Sequence, residues 1–286
     1  MSAIAVVGYA HQTNLELVEA WRALGIDARL IPPADALSEL AADDRALGRL
    51  DVLQTLDGVE PGLQVLDWLE LRGVTVLNPA RCLLASHDKL LTDAYLTGAG
   101  VPHPQSLLAE SARDVRLLPL PCVVKPRFGS WGRDVFRCRT PDEREACLAV
   151  LATRSWFRAD GAVVQELLPS PGYDLRVIVA AGAVVGAAER VARPGEWRTN
   201  ISLGGSLREA GPSPEGFALA IAAAAAVGAD VLGVDLVTTP RGLTVLEVNG
   251  AVDFDGRYSL RGSDVYAAIA EALQVGPGPL AAVEPS

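Results

Sequence analysis

Cysteine is scarce in this chain. Only four of 286 residues are Cys, at 82, 122, 138 and 147, and no two form a CxxC pair. So few thiols in so long a chain make no disulfide framework or zinc ribbon, and reduced or core cysteines are the simplest reading. Histidine is scarcer still: His11, His87 and His103 show no metal-ligand spacing. A surface position on a helix is expected for His87, and a simple helix cap by Thr13 or Asn14 for the stretch after His11. No clear Ser-His-Asp or Cys-His set is present, so no side-chain nucleophile is expected. The longest apolar run, residues 217–227, is Ala-rich and far short of the ~20 residues a membrane span needs. No basic start followed by a long apolar stretch marks a signal peptide, which makes the cytoplasm the expected compartment. Basic residues are outnumbered, 25 against 35 acidic, for a net charge of -10. That balance argues against nucleic-acid binding, because a polyanion requires a basic face. A glycine triplet is also missing after the first strand, where the chain reads VVGYAH over residues 6–11; a dinucleotide-binding dehydrogenase is thereby excluded.

What is present is a soluble globular composition, 50% hydrophobic and 21% charged. The length accommodates one large or two to three small domains. Over residues 1–80, strands at 3–8, 26–31, 51–56 and 74–77 alternate with helices at 14–24 and 61–72, which predicts a parallel βαβ layer and an α/β class. A helix over 86–97, N-capped by Ser86, follows. Strands at 121–125 and 134–139 flank a glycine-bearing loop at 128–133, and a helix runs from 141 to 153 with Pro near its start. Strands at 162–167, 174–181 and 183–190, a helix at 214–227 and a last helix at 263–273 complete the pattern. The expected segments are 1–80, 81–160 and 161–275, with a loose Pro/Gly-rich tail over 276–286.

Two apolar runs, VLGVDLVT (231–238) and LTVLEVN (243–249), surround a Pro/Gly turn and predict a hairpin. A three-residue loop of Pro240, Arg241 and Gly242 places Asp235 opposite Glu247, and period two puts Asn249 on the same side. Buried carboxylates without a partner are costly. A hard divalent cation would partner three oxygen donors, and such ligands suit Mg²⁺ or Mn²⁺ better than zinc. Two exposed acids and a turn-capping Asn are the competing reading. Lys125 ends an apolar strand beside the Gly129-Ser130 loop, an arrangement that can place charge and backbone N–H groups on phosphate oxygens. A solvated lysine is the alternative there. Asp174 and Arg176 share one strand face, Arg190 and Arg198 follow, and the edge 162–168 could meet an adenine through its main chain. Together the basic groups would suit a triphosphate and an acyl phosphate, although any one Arg alone reads as a surface ion pair.

These stretches, taken in order, resemble the ATP-grasp superfamily and, within it, RimK-type carboxylate–amine ligases. They are SHDKLL (86–91), VVKP with GSWGR (123–133), VQEL (164–167), DLR (174–176), EWRTN (196–200), GVD (233–235) and LEVN (246–249). The GSWGR run looks closest to LysX-type members, which attach an amino acid to a carrier-protein glutamate. The resemblance implies a pre-ATP-grasp layer followed by two α+β subdomains clasping ATP. It implies that Lys89 and Lys125 hold phosphates, that Gly129 and Ser130 close over them, and that Gln165, Glu166, Leu167 and Leu168 line the adenine hinge. Asp174 would meet the ribose, and Arg190, Arg198 and Asn200 would face phosphates. Asp235, Glu247 and Asn249 would bind two Mg²⁺ ions, which Mn²⁺ can replace, and Arg176 would steady the acyl phosphate or tetrahedral intermediate, with Arg198 in a catalytic role beside it. The implied reaction joins a small-molecule or peptide carboxylate, free or carrier-bound, to an amine such as that of glutamate, in a homo-oligomer, dimer or tetramer. A non-amine acceptor, or a nucleotide-binding scaffold without turnover, remains the alternative. One departure stands out: where many RimK-type chains run through Ser-Pro-Gly after the Asn, this one has GAVDFD (250–255), in the loop where the amino acceptor would sit.

Overall fold

The computed structural model describes residues 3–260 and 262–276. A four-stranded parallel sheet comes first, in the order β2-β1-β3-β4. Its strands are β1 (Ile4–Gly8), β2 (Ala28–Ile31), β3 (Arg45–Arg49) and β4 (Thr75–Leu77), connected through α1 (Gln12–Ala23), α2 (Pro33–Glu39) and α3 (Leu63–Leu71). Alternate side chains of β1 feed two cores. Ile4 and Val6 pack with Leu17 and Trp21 of α1, while Ala5 and Val7 face Ala36, Leu66 and Leu69.

Two helices follow where one is expected. α4 (Ala80–His87) stops and α5 (Lys89–Gly98) starts around Asp88, whose carboxylate accepts from the Leu90 amide. Asp88, not Ser86, is therefore the N-cap; the Ser86 hydroxyl instead donates to the Cys82 carbonyl. A second sheet, β5-β8-β6-β7, is antiparallel and comprises β5 (Ser106–Ala109), β6 (Cys122–Pro126), β7 (Phe136–Cys138) and β8 (Ala162–Glu166). Helices α6 (Ala112–Leu117), α7 (Pro141–Leu151) and α8 (Ser155–Asp160) belong to the same segment, and residues from all three join its core. β8 was expected to open the third segment; its pairing with β5 and β6 extends the second sheet through Glu166.

The third sheet has the order β11-β10-β9-β12-β13 and is antiparallel throughout. It holds β9 (Tyr173–Ala180), β10 (Ala183–Val191), β11 (Ser206–Glu209), β12 (Val231–Thr239) and β13 (Gly242–Asn249). α9 (Pro214–Val227), bounded as expected, covers one face against Val177, Val179, Leu232 and Val234. α10 (Val265–Ala272) covers the other with α1, so the first and third sheets share one core. All four cysteines are free and buried. Of the expected tail, residues 277–286 lie outside the described residues.

Three further expectations are corrected. Residues 51–56 form no strand beyond a Val52–Val59 bridge; the third parallel strand is RALGR at 45–49. Its terminal arginines find distant acceptors: Arg45 donates to the Leu273 and Gln274 carbonyls, and Arg49 to Asn14 and the Val252 carbonyl. Linear periodicity cannot anticipate such bonds, so an Arg-ended run reads as polar. The hairpin loop has two residues, Pro240 and Arg241, because Thr239 pairs with Gly242. Asp235 nonetheless faces Glu247, since Leu246 is an extra residue in β13 that shifts the register between Leu236 and Asp235. Finally, neither Thr13 nor Asn14 caps α1: Thr13 donates to Asp253 and Asn14 to the Tyr9 carbonyl.

Candidate active site

A cleft lies between the second and third sheets. Val123, Val135, Leu167, Leu168, Val237 and Leu246 line it together with Gln165 and Glu166, a sheet-edge setting suited to a flat apolar ring. Lys89, Lys125, Asp174, Arg190, Arg198, Asn200, Asp235 and Glu247 supply its charged and polar lining. Gly129, Ser130 and Gly132 of the loop between β6 and β7 close one side. Every residue expected to contact nucleotide is thus brought to one place. The β13 bulge has a local effect: Leu246 and Glu247, consecutive in sequence, both line the cleft, whereas a regular strand would alternate them.

The charges at the cleft and its border form two sets of contacts. Arg176, at the border, makes a bidentate pair with Asp235, at 2.7 and 2.9 Å. Arg190 bridges Asp235, at 2.8 Å, and Asp174, which also accepts from the Thr199 hydroxyl. Lys89 Nζ lies 2.9 Å from Glu247 and 2.8 Å from the Gly129 carbonyl. Burial opposes ionisation of Asp235, but Arg176 and Arg190 outweigh it and hold the carboxyl below its ordinary value. Glu247 is likewise pulled down, burial being overcome by Lys89 and Lys125. Lys125 moves the other way, to about 8: burial dominates, and Lys89 adds to it against the attraction of Glu247. Arg198 is held by Glu196 and donates to the Gly132 carbonyl, so it ties the loop to the third sheet. Gly132 is required there, because a Cβ would meet Asn200 Oδ1 at 2.5 Å and its φ is +67°.

Arg176 and Asn249 fall outside this cleft, in an adjoining pocket that shares Ser130, Arg190, Asn200 and Glu247 with it. The loop 251–255, the start of α1 and Asp51 form its other walls. Asp51, Asp253, Thr199 and Leu246 were not singled out from the sequence as site residues. A signal for Asp51 existed, namely its place just past the carboxyl end of a parallel strand, but the strand itself was misplaced. His87 is not on the surface: it is buried with Nε2 2.9 Å from the Leu50 carbonyl.

The metal set can be tested on its donors. Among the described residues no three His, Cys, Asp or Glu side chains group for a metal; Asp235, Glu247 and Asn249 comprise two carboxylates and one amide. The amide nitrogen of Asn249 is buried with no hydrogen-bond partner, which marks a polar group outside the protein's own network. An all-oxygen set beside a cleft lined by Lys89, Lys125 and Arg190 fits a hard cation.

A cleft between two antiparallel sheets, with a parallel layer before them, is the ATP-grasp arrangement, and family membership together with the ligase-named relatives makes the chain an ATP-dependent carbon–nitrogen ligase. The chain belongs to the RimK-like ATP-grasp family, whose domain description matches residues 86–273. It is 31% identical over 273 residues to a protein named probable alpha-L-glutamate ligase from Xanthomonas campestris pv. campestris (strain 8004), across 90% of this chain and 93% of that one. Its fold is that of a RimK-domain ATP-grasp protein from Sphaerobacter thermophilus DSM 20745, with a TM-score of 0.69 at 22% identity over 94% and 98% of the two chains. The ATP-grasp ligase PsnB, solved with minimal precursor, Mg and ADP, is similar at a TM-score of 0.67 and 20% identity over 96% and 98%. No helix among the described residues is long and apolar enough to cross a membrane.

Proposed function

We propose that this protein activates a carboxylate by phosphorylation from ATP and joins the acyl phosphate to an amine, releasing ADP and phosphate. The observation that carries the reading is the convergence of Lys89, Lys125 and Arg190 with Asp235 and Glu247 in one cleft that also has an apolar wall. A free carboxylate resists nucleophiles because of its charge; phosphorylation removes that charge and supplies a leaving group. The chain's part is to position and to neutralise. Lys89 and Lys125 face the phosphates, Arg190 and Arg198 flank them, and Glu166 to Leu168 border the base. Asp174, bonded to Arg190, sits where a ribose hydroxyl can replace Thr199. Arg176, bonded to Asp235 of the cleft, lines the adjoining pocket, where it can steady the acyl group and the tetrahedral intermediate. Two Mg²⁺ ions, or Mn²⁺, would be held by Asp235, Glu247 and Asn249, with Glu247 shared, and would offset charge on the transferring phosphoryl group. The loop 129–132 keeps water from the acyl phosphate. The name borne by the 31%-identical relative supports glutamate as one partner; the other is a small-molecule, peptide or carrier-protein group. We infer a homo-oligomer working in the cytoplasm.

The test is direct. Incubation with ATP, Mg²⁺ and amino acids paired with acidic acceptors yields ADP and an amide of the summed mass less water, read by mass spectrometry. Glu247→Ala abolishes both products while circular dichroism stays native. ADP release at the wild-type rate in that variant refutes the assignment.

A further inference from the structure

The pocket adjoining the cleft is lined by charges of both signs, among them Arg176 and Arg190, and Asp51 and Asp253. Asp51 is 8% exposed, yet makes no ion pair among the described residues, and the one hydrogen bond of its carboxylate is accepted from the neighbouring Val52 amide. A carboxylate so buried is costly without a counter-charge. Arg49 lies behind it: Nε bonds Asn14 Oδ1 at 2.5 Å, Nη2 the Val252 carbonyl at 2.7 Å, and Nη1 is buried without a partner, so its charge is felt by Asp51 and Asp253 but it makes an ion pair with neither among the described residues. Asp253 is exposed to the pocket and accepts only from the Thr13 hydroxyl, at 3.0 Å. Its backbone carbonyl lies 3.4 Å from Arg176 Nη1, so whatever binds Asp253 is beside the guanidinium that reaches the reaction centre.

We propose that Asp51 and Asp253 are the amine subsite: the acceptor enters as an ammonium, is held by both carboxylates, and leaves a proton on Asp51 before it attacks. The inference rests on the ligase reading above and specifies its acceptor side. The neutral amine forms the C–N bond at the acyl carbon as the C–O bond to phosphate breaks. The departing phosphate takes the second nitrogen proton, and Asp51 releases the first to water. The groups facing Asp51 are Asp253 from the loop after β13, Glu60 and His11 from neighbouring loops, and Arg49 from β3. Burial, then Asp253 and Glu60, push the Asp51 carboxyl up to about 7 against the Val52 amide and His11, a value suited to a general base at neutral pH.

The experiment uses the full chain with ATP, Mg²⁺ and L-glutamate as carboxylate, offering two amines together: L-glutamate, an ammonium at neutral pH, and hydroxylamine, which is uncharged there. Glutamyl-glutamate and glutamyl hydroxamate are counted by mass spectrometry. Asp51→Asn and Asp253→Asn each shift the partition toward hydroxamate by about tenfold or more, the order expected when a charged hydrogen bond is lost, and Asp51→Asn also removes the rise of dipeptide formation with pH through neutrality. Asp253 is exposed, so its variant folds. An unchanged partition in Asp253→Asn, or equal losses of both products in Asp51→Asn, overturns the subsite alone. A wild-type chain that forms neither product overturns the ligase reading beneath it.

Discussion

Three residues illustrate how far side-chain identity can mislead. His87 sits two positions before Lys89 on what a linear reading takes for a surface helix, yet it is 6% exposed and bonded to a backbone carbonyl. Burial holds its imidazole down to about 4, with Lys89 acting in the same direction. Unfolded chains take up that proton near the ordinary value of 6.5, whereas the native state refuses it until about 4. The group therefore contributes stability above the ordinary value that is lost as pH falls through this window, about 2–3 kcal/mol by pH 4.5. Urea unfolding at pH 7 and 4.5 shows that loss in the wild type and a flatter response in His87→Gln. Arg49 and Asp51 escaped notice as site residues for the same reason: their neighbours come from residues 14 and 252–253, far along the chain. Asp235, Glu247 and Lys125 were legible because their chemistry is declared locally, by charged groups inside apolar runs.

Elements were legible where a hydrophobic period or a Pro start dominates. α9 was placed to the residue, and β9 and β10 to within one. The short pieces α2, α6, α8 and β5 were missed; each has seven residues or fewer, too few for a period to declare itself. The β12–β13 hairpin is instructive: the Asp235–Glu247 pairing was anticipated through a three-residue loop, while the chain achieves it with a two-residue loop and an extra Leu246. Nothing in a linear pattern distinguishes those solutions, since both offset the register by one. The bulge turns Leu246 into the cleft beside Val123 and Leu167. Leu246→Ala removes apolar area from the wall of the cleft proposed to meet the base; the KM for ATP is expected to rise about tenfold, in line with the burial of a leucine side chain, with kcat little changed. Steady-state ADP release checks both. Ordinary KM in that variant places the base elsewhere.

At the scale of the whole molecule, a single buried amide joins the first and third sheets. Asn78, fully buried just past β4, donates to the Val231 and Gly250 carbonyls and accepts from the Asp230 and Val231 amides at 2.7–3.1 Å. Asn78→Ala strands four buried backbone groups, so a loss of about 3 kcal/mol or more is expected, seen as a clear fall in Tm by calorimetry. A wild-type Tm there means the groups find other partners. Thr13, Asp51 and Asp253, which line the pocket adjoining the cleft, hang from elements on this side of the molecule: Thr13 and Asp51 follow β1 and β3, and Asp253 follows β13. The loop 129–132, which reaches the same pocket through Ser130 and Trp131, and the cleft-lining end of β8 belong to the second sheet. Ser130, Arg190, Asn200 and Glu247 nevertheless face both the cleft and the adjoining pocket, so a change at any of these four is felt in both spaces, whereas one at residues 251–255 touches the pocket alone.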